Sequence, residues 1–219
     1  MGRIAGVSSR HNTSKRIRKR AYHHGDLKAA MVEAALKLIA RNGPRGFSLS
    51  EAARLAGVSV GAPYRHFADK EALLIAVAAR GFIELWERIE AAGKTCPDNP
   101  RKRLVGMGAA YVRFAVERPS YFQVMFDCEI HRGKDPAIQI PADRCFQMLL
   151  ETVRQAAARK ETRTVETLTA AIWALMHGHA VFAMDNAFTN MEFETRPEIL
   201  VHDSFEMLMQ TPAFCCERG

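Results

Sequence analysis

Residues 59 to 66, Ser-Val-Gly-Ala-Pro-Tyr-Arg-His, gather groups suited to touching a nucleic acid rather than to breaking a bond. A short helix opening at Ser59 would carry Ser59, Val60, Gly61 and Ala62 at its exposed start. When a helix enters the major groove, its first residues meet base edges while the groups around them hold phosphates. Val60 or Ala62 can meet a thymine methyl, and Gly61 lets the backbone come close. Arg65, one turn further, suits the paired acceptors of a guanine.

Other chemistry finds little support. An enzyme needs a nucleophile beside a positioned base, a phosphate-cradling loop or a ligand cluster, and none stands out. His177 and His179 are two residues apart, so on a helix they point to different sides and make a poor metal site. No cofactor and no metal are implied.

The elements that must hold residues 59 to 66 are written around them. Ser48 followed by Glu51 is a capping box, in which hydroxyl and carboxylate satisfy orphan N–H groups at a helix start. Gly57 suits the left-handed exit from that helix, and Ser59 directly afterwards reads as a second N-cap. Val58 and Pro63 are spaced for a hydrophobic staple, and Ala53 is small enough to let two helices cross closely. The pattern is helix, turn, helix.

This stretch, Ser-Leu-Ser-Glu-Ala-Ala-Arg-Leu-Ala-Gly-Val-Ser-Val-Gly-Ala-Pro-Tyr-Arg-His-Phe-Ala-Asp-Lys-Glu-Ala-Leu from Ser48, resembles the signature of the tetracycline-repressor (TetR) family of bacterial transcription regulators. The resemblance is dense over roughly residues 25 to 75. It implies that Tyr64, His66 and Lys70 contact phosphates, joined by Ser48 from the preceding helix. Tyr64 is expected to do so with its ring buried, since Tyr64 and Phe67 also face inward by spacing. Further on, Trp173-Ala-Leu-Met-His177-Gly178 resembles the Trp-His-Gly signature of one regulatory-domain type within the same family.

Composition agrees with a folded DNA-binding protein. The chain has 219 residues, 48% of them hydrophobic, which is ample for a core. Its five cysteines, Cys96, Cys128, Cys145, Cys215 and Cys216, are odd in number and lack a Cys-x-x-Cys pair. Neither a disulfide framework nor a zinc knuckle is indicated, and a reducing cytoplasm is the expected home. No apolar stretch follows the basic N-terminus as a secretory signal requires. The seven basic residues before Asp26 (Arg3, Arg10, Lys15, Arg16, Arg18, Lys19, Arg20) are unopposed, and without them 24 basic residues balance 24 acidic ones. The net charge of +7 thus belongs to this arm, which is either a phosphate-contacting extension or a solvated tail.

Hydrophobic periodicity predicts an all-α fold, with no alternating strand pattern and no internal repeat. A basic disordered arm, 1–22, precedes a helix-turn-helix domain, 23–70, whose first helix carries Leu27, Met31, Ala34, Ala35, Leu38 and Ile39 and stops at Asn42-Gly43-Pro44. Phe47, Leu55 and Phe67 are expected in its core. A connecting helix, 71–93, is capped by Asp69, carries Leu74, Ala78, Gly81, Leu85 and Ile89 or Ala92 along one side, and ends at Gly93. A regulatory and dimerisation domain, 94–210, and a frayed C-terminus, 211–219, complete the chain. Its helices are expected over Arg101–Glu117, Pro141–Arg159 and Arg196–Met209, with His131–Pro136 a loop and the last helix amphipathic through Ile199, His202 or Asp203, Phe205, Leu208 and Met209. Thr167 to Met184 carries no full charge. Its length approaches a bilayer span, but His177, Gly178 and His179 favour a helix covered by protein, so no membrane partner is expected.

One such module reads too few base pairs for genomic specificity, so a homodimer on a palindromic operator in double-stranded DNA is expected. The resemblance implies that the dimer contact lies on the last two helices and that the default action is repression released by a small-molecule effector. Candidate residues around that effector are Tyr121, Phe122, Met125, Trp173, His177 and Phe182. An activator, or a sequence-neutral DNA-binding protein without effector, remains the alternative.

Overall fold

The computed structural model describes residues 24–127, 135–191, 195 and 197–215. The basic arm, Cys128, Cys216 and the stretch from His131 to Lys134 lie outside the described residues. Among the described residues the structure is helical throughout, as the periodicity predicts.

Helix α1 (His24–Asn42) buries Met31, Ala34, Ala35 and Ile39 and is closed by Gly43, whose N–H donates to the Ile39 carbonyl at 2.8 Å. Helix α2 (Leu49–Leu55) starts at the expected capping box, with the Glu51 carboxylate on the Ser48 N–H at 2.7 Å and the Ser48 hydroxyl accepting from the Glu51 N–H at 3.2 Å. Its exit is a Schellman motif. Gly57 adopts φ +73°, its N–H donates to Arg54, and the Val58 N–H donates to Ala53. Ala52 and Ala53 are fully buried where α2 meets α1.

The segment after Gly57 departs from expectation. Instead of an α-helix capped by Ser59, there is a turn in which the Ala62 N–H donates to the Ser59 carbonyl at 3.0 Å, followed by a 3-10 helix, Pro63–Arg65, without a side-chain cap. Pro63 is the cause. It has no N–H to give Ser59, the bond that would close a first α-turn there, and Gly61 adds little helical preference. Inward positions also shift. Pro63 and Phe67 are buried, whereas Tyr64 is 57% exposed and Leu55 42% exposed.

Helix α3 (Lys70–Lys94) is capped by Asp69, whose Oδ1 accepts from the Ala72 N–H at 2.8 Å. It buries the predicted stripe together with Leu73, Val77 and Phe82. It runs through Gly93, which sits inside the helix against the Arg103 stem, and closes where the Thr95 hydroxyl donates to Ala92. Helix α4 (Pro100–Glu117) is capped by Asn99, and α5 (Pro119–Met125) follows at once.

Helix α6 (Pro136–Ala156) begins five residues before the expected Pro141, because Asp135 caps it and Pro136 takes its first position. Helix α7 (Thr162–Met184) carries the charge-free run, and a short α8 (Ala187–Asn190) precedes α9 (Pro197–Met209). On α9 the buried stripe is Val201, Phe205 and Met209, while Ile199 is exposed. The stretch 211–215 is packed rather than frayed: Phe214 is fully buried and the Ala158 N–H donates to the Ala213 carbonyl. Helix α3 is the hub, lying along α4, α5 and α6, and α4 in turn packs on α7 and α9.

Candidate functional site

Two places gather the predicted residues. In the first, Ser59, Val60, Gly61, Tyr64 and Arg65 form a contiguous exposed surface on the turn and the 3-10 helix, with Ala62 and His66 half-buried behind them. An added Cβ at Gly61 would meet nothing within 4 Å, so the backbone there is open to a close-approaching ligand. Ser48 is exposed at the start of α2, where its hydroxyl and N–H hold the Glu51 carboxyl below its ordinary range. Lys70 is half-buried. Its ammonium donates to the Arg45 carbonyl at 2.9 Å and lies 4.8 Å from the Phe47 ring centre. Partial burial, and secondarily the charge of Arg45, lower its pKa. An ammonium has three donors, so the bond to Arg45 leaves two for a phosphate.

The second place is a cavity of about 360 Å³. Helix α3 contributes Phe82, Leu85 and Ile89, α4 contributes Met107 and Tyr111, and α5 ends in it with Met125 and Phe126. The far wall is Ala142, Asp143, Cys145, Phe146 and Leu149 of α6 with Trp173 and Met176 of α7. Phe146 and Trp173, both exposed and edge-to-face at 6.2 Å, frame its mouth. Cavities of this size and apolar character are usual for small-molecule sites.

Two of the six residues considered for an effector, Met125 and Trp173, line this cavity. Tyr121 is buried beside Gly81, and Phe182 is exposed near Phe188. Phe122 and His177 stand directly behind the lining. The His177 ring stacks on Phe122 at 5.3 Å and meets Phe126 edge-on at 4.7 Å, while its Nδ1 lies 3.0 Å from the Tyr111 hydroxyl. Trp173 and His177 are one turn apart on α7, so the Trp-His-Gly signature supplies one ring to the mouth and one buttress to the wall. Burial lowers the His177 pKa and pushes the Tyr111 phenol above its ordinary range, so it favours the uncharged form of both partners.

Tyr111, Phe126, Phe82, Cys145 and Asp143 were not indicated as cavity residues by their sequence neighbours. They lie on three helices and at the C-terminal end of a fourth, and periodicity reports only that a residue faces inward. Burial pushes the Cys145 thiol up to about 12, and it donates to the Phe82 carbonyl at 3.6 Å. Among the described residues no three His, Cys, Asp or Glu side chains converge as a metal site. Helix α7 has the length and apolar composition of a membrane span, yet one face of it packs on α4, α6 and α9.

Comparison with known proteins fits this division. Residues 31–77 match the family of bacterial regulatory proteins described as the tetR family, and residues 104–211 match the tetracyclin repressor-like C-terminal domain. The uncharacterized helix-turn-helix-type transcriptional regulator YobS of Bacillus subtilis (strain 168) is 23% identical over 162 residues, 74% of this chain and 81% of its own. A structure of a protein with unknown function from Rhodococcus sp. RHA1 has TM-score 0.74 and 24% identity, covering 86% of this chain and 96% of its own. The transcriptional regulator FadR from Bacillus subtilis, solved in complex with stearoyl-CoA, has TM-score 0.66 and 19% identity over 83% of this chain and 97% of its own. With one family match over the DNA-reading module and another over the helices that enclose the cavity, this chain belongs to the TetR family of DNA-binding transcription regulators.

Proposed function

We propose that the protein is a homodimeric repressor that reads a palindromic operator through residues 59 to 66 and is released when a small molecule fills the cavity between α3, α4, α6 and α7. The observation that carries this reading is the course of α3. One continuous helix, capped by Asp69, bears Lys70 against the Arg45 carbonyl at its start, and Phe82, Leu85 and Ile89 in the cavity wall three to five turns later. A ligand that favours one setting of α3 therefore biases the position of the reading surface. The stearoyl-CoA in the FadR structure supports a ligand role for the helical domain at the level of the shared fold.

The outer face of α7 supports the dimer. Ala170, Ala171 and Ala174 are exposed, and an added Cβ at Gly178 would meet nothing within 4 Å. An uncharged stripe of small residues lets a second helix approach closely. Selection of bound sequences from a random DNA pool tests the whole reading. A palindrome recovered by a protein that sizes as a dimer is the expected result, and binding indifferent to sequence would overturn it. Ligand release carries its own check: a compound that lowers operator affinity must bind more weakly to the DNA complex by the same factor.

A further inference from the structure

The geometry points to an effector that is a lipophilic cation, its apolar body inside the cavity and its positive end at the mouth beside Asp143. This inference rests on the cavity being the effector site. It goes further by naming the charge of the ligand.

The lining contains no Lys, Arg or His, and its one carboxylate is Asp143, exposed on α6 at the edge of the opening. Among the described residues no ion pair is formed by Asp143. Its neighbour Arg144 turns away toward α3, where the guanidinium lies 5.5 Å from the Trp86 ring centre. The other polar groups of the lining are already engaged: the Trp173 indole hydrogen-bonds the Tyr111 hydroxyl, which lies 3.0 Å from His177 Nδ1, and the Cys145 thiol donates to the Phe82 carbonyl. An anion drawn into this space would lose its hydration and meet no positive partner. A cation at the mouth would instead meet the Asp143 carboxylate and the faces or edges of Phe146 and Trp173, whose ring quadrupoles attract positive charge. An uncharged apolar molecule would gain the burial alone.

The test uses three probes that share a ten-carbon chain and differ only in the head: decyltrimethylammonium, decan-1-ol and decanoate. Binding to the full-length protein is measured by calorimetry at low ionic strength. It is located by the emission of Trp173 in Trp86→Phe, since the chain has two tryptophans. The expected ranking is ammonium first, by roughly tenfold over the alcohol, with decanoate weakest. Asp143→Asn is expected to bring the ammonium to the level of the alcohol, and Asp143→Lys to raise decanoate above it. Because Asp143 is exposed, neither change threatens the fold. Decanoate binding as tightly as the ammonium, or an ammonium affinity unmoved by Asp143→Asn, would overturn the charge assignment while leaving the cavity as a ligand site. Failure of all three probes to move the Trp173 emission would overturn both readings.

Discussion

The Arg45 guanidinium lies 3.6 Å from the Asp127 carboxylate, joining the loop that leads into α2 to the residue directly after the cavity-lining Phe126. Arg45 is gripped from both sides, since its own carbonyl accepts from Lys70 at the start of α3. Its side chain is mostly exposed, so the ion pair adds little to stability, on the order of 1 kcal/mol or less. Its importance lies in position. If the cavity takes a ligand as proposed, a shift of Phe126 would move the next residue, Asp127, which pairs with the loop leading into α2.

Asp127→Asn is therefore expected to leave the unfolding midpoint nearly unchanged while weakening communication between cavity and DNA. Operator affinity measured with and without a saturating cavity ligand should lose about 1 kcal/mol of coupling, roughly a fivefold smaller ratio. An unchanged ratio would place the communication along α3 alone.

Arg65 and Tyr64 should separate base reading from phosphate holding. Arg65→Ala is expected to cost about 1–3 kcal/mol at one base pair of each half-site and to relax selection at that position. Tyr64→Phe should weaken all sequences alike. The comparison is read from binding to an operator and to its single-base variants at fixed salt. A uniform loss in Arg65→Ala would move that side chain from the base edge to the backbone.

The features that read correctly from sequence share a short range. Ser48 and Glu51, Gly57 and Arg54, Asp69 and Ala72 each act within three residues, so both partners of each bond are visible in one glance at the chain. At residues 59–62 the favourable cap at Ser59 predicts a helix, but Pro63, four residues later, lacks the N–H that would close its first turn. The cavity lies beyond such reasoning. Tyr111 and His177 are 66 residues apart and meet only after α4 and α7 pack. Inward-facing periodicity on each helix cannot say which inward-facing residues leave a gap between them.

The ends of α2 offer a direct measure of those local signals. Ser48→Ala removes a hydroxyl cap and is expected to cost about 1 kcal/mol. Gly57→Ala forces a side chain into φ +73° and should cost about 1–2 kcal/mol although nothing lies within 4 Å of its Cβ. Urea unfolding followed by far-ultraviolet circular dichroism checks both. A neutral Gly57→Ala would mean that the turn relaxes out of the left-handed region.

The wall of the cavity predicts a pH dependence of stability. Burial holds the His177 imidazole below its ordinary pKa of 6.5. As pH falls through the unfolded value, the unfolded chain takes up a proton that the folded chain still refuses. The folded state is then the one that binds fewer protons, so stability decreases as pH drops from neutrality toward the depressed folded pKa. His179, shifted in the same direction by burial, adds to the slope. His177→Gln should flatten part of the decline in urea midpoints between pH 7.5 and about 5.5. Tyr111→Phe should leave the decline in place, because burial, which opposes the charge, remains after the hydroxyl is gone. Equal slopes in the parent protein and in His177→Gln would show that His177 is not held neutral by the wall it buttresses.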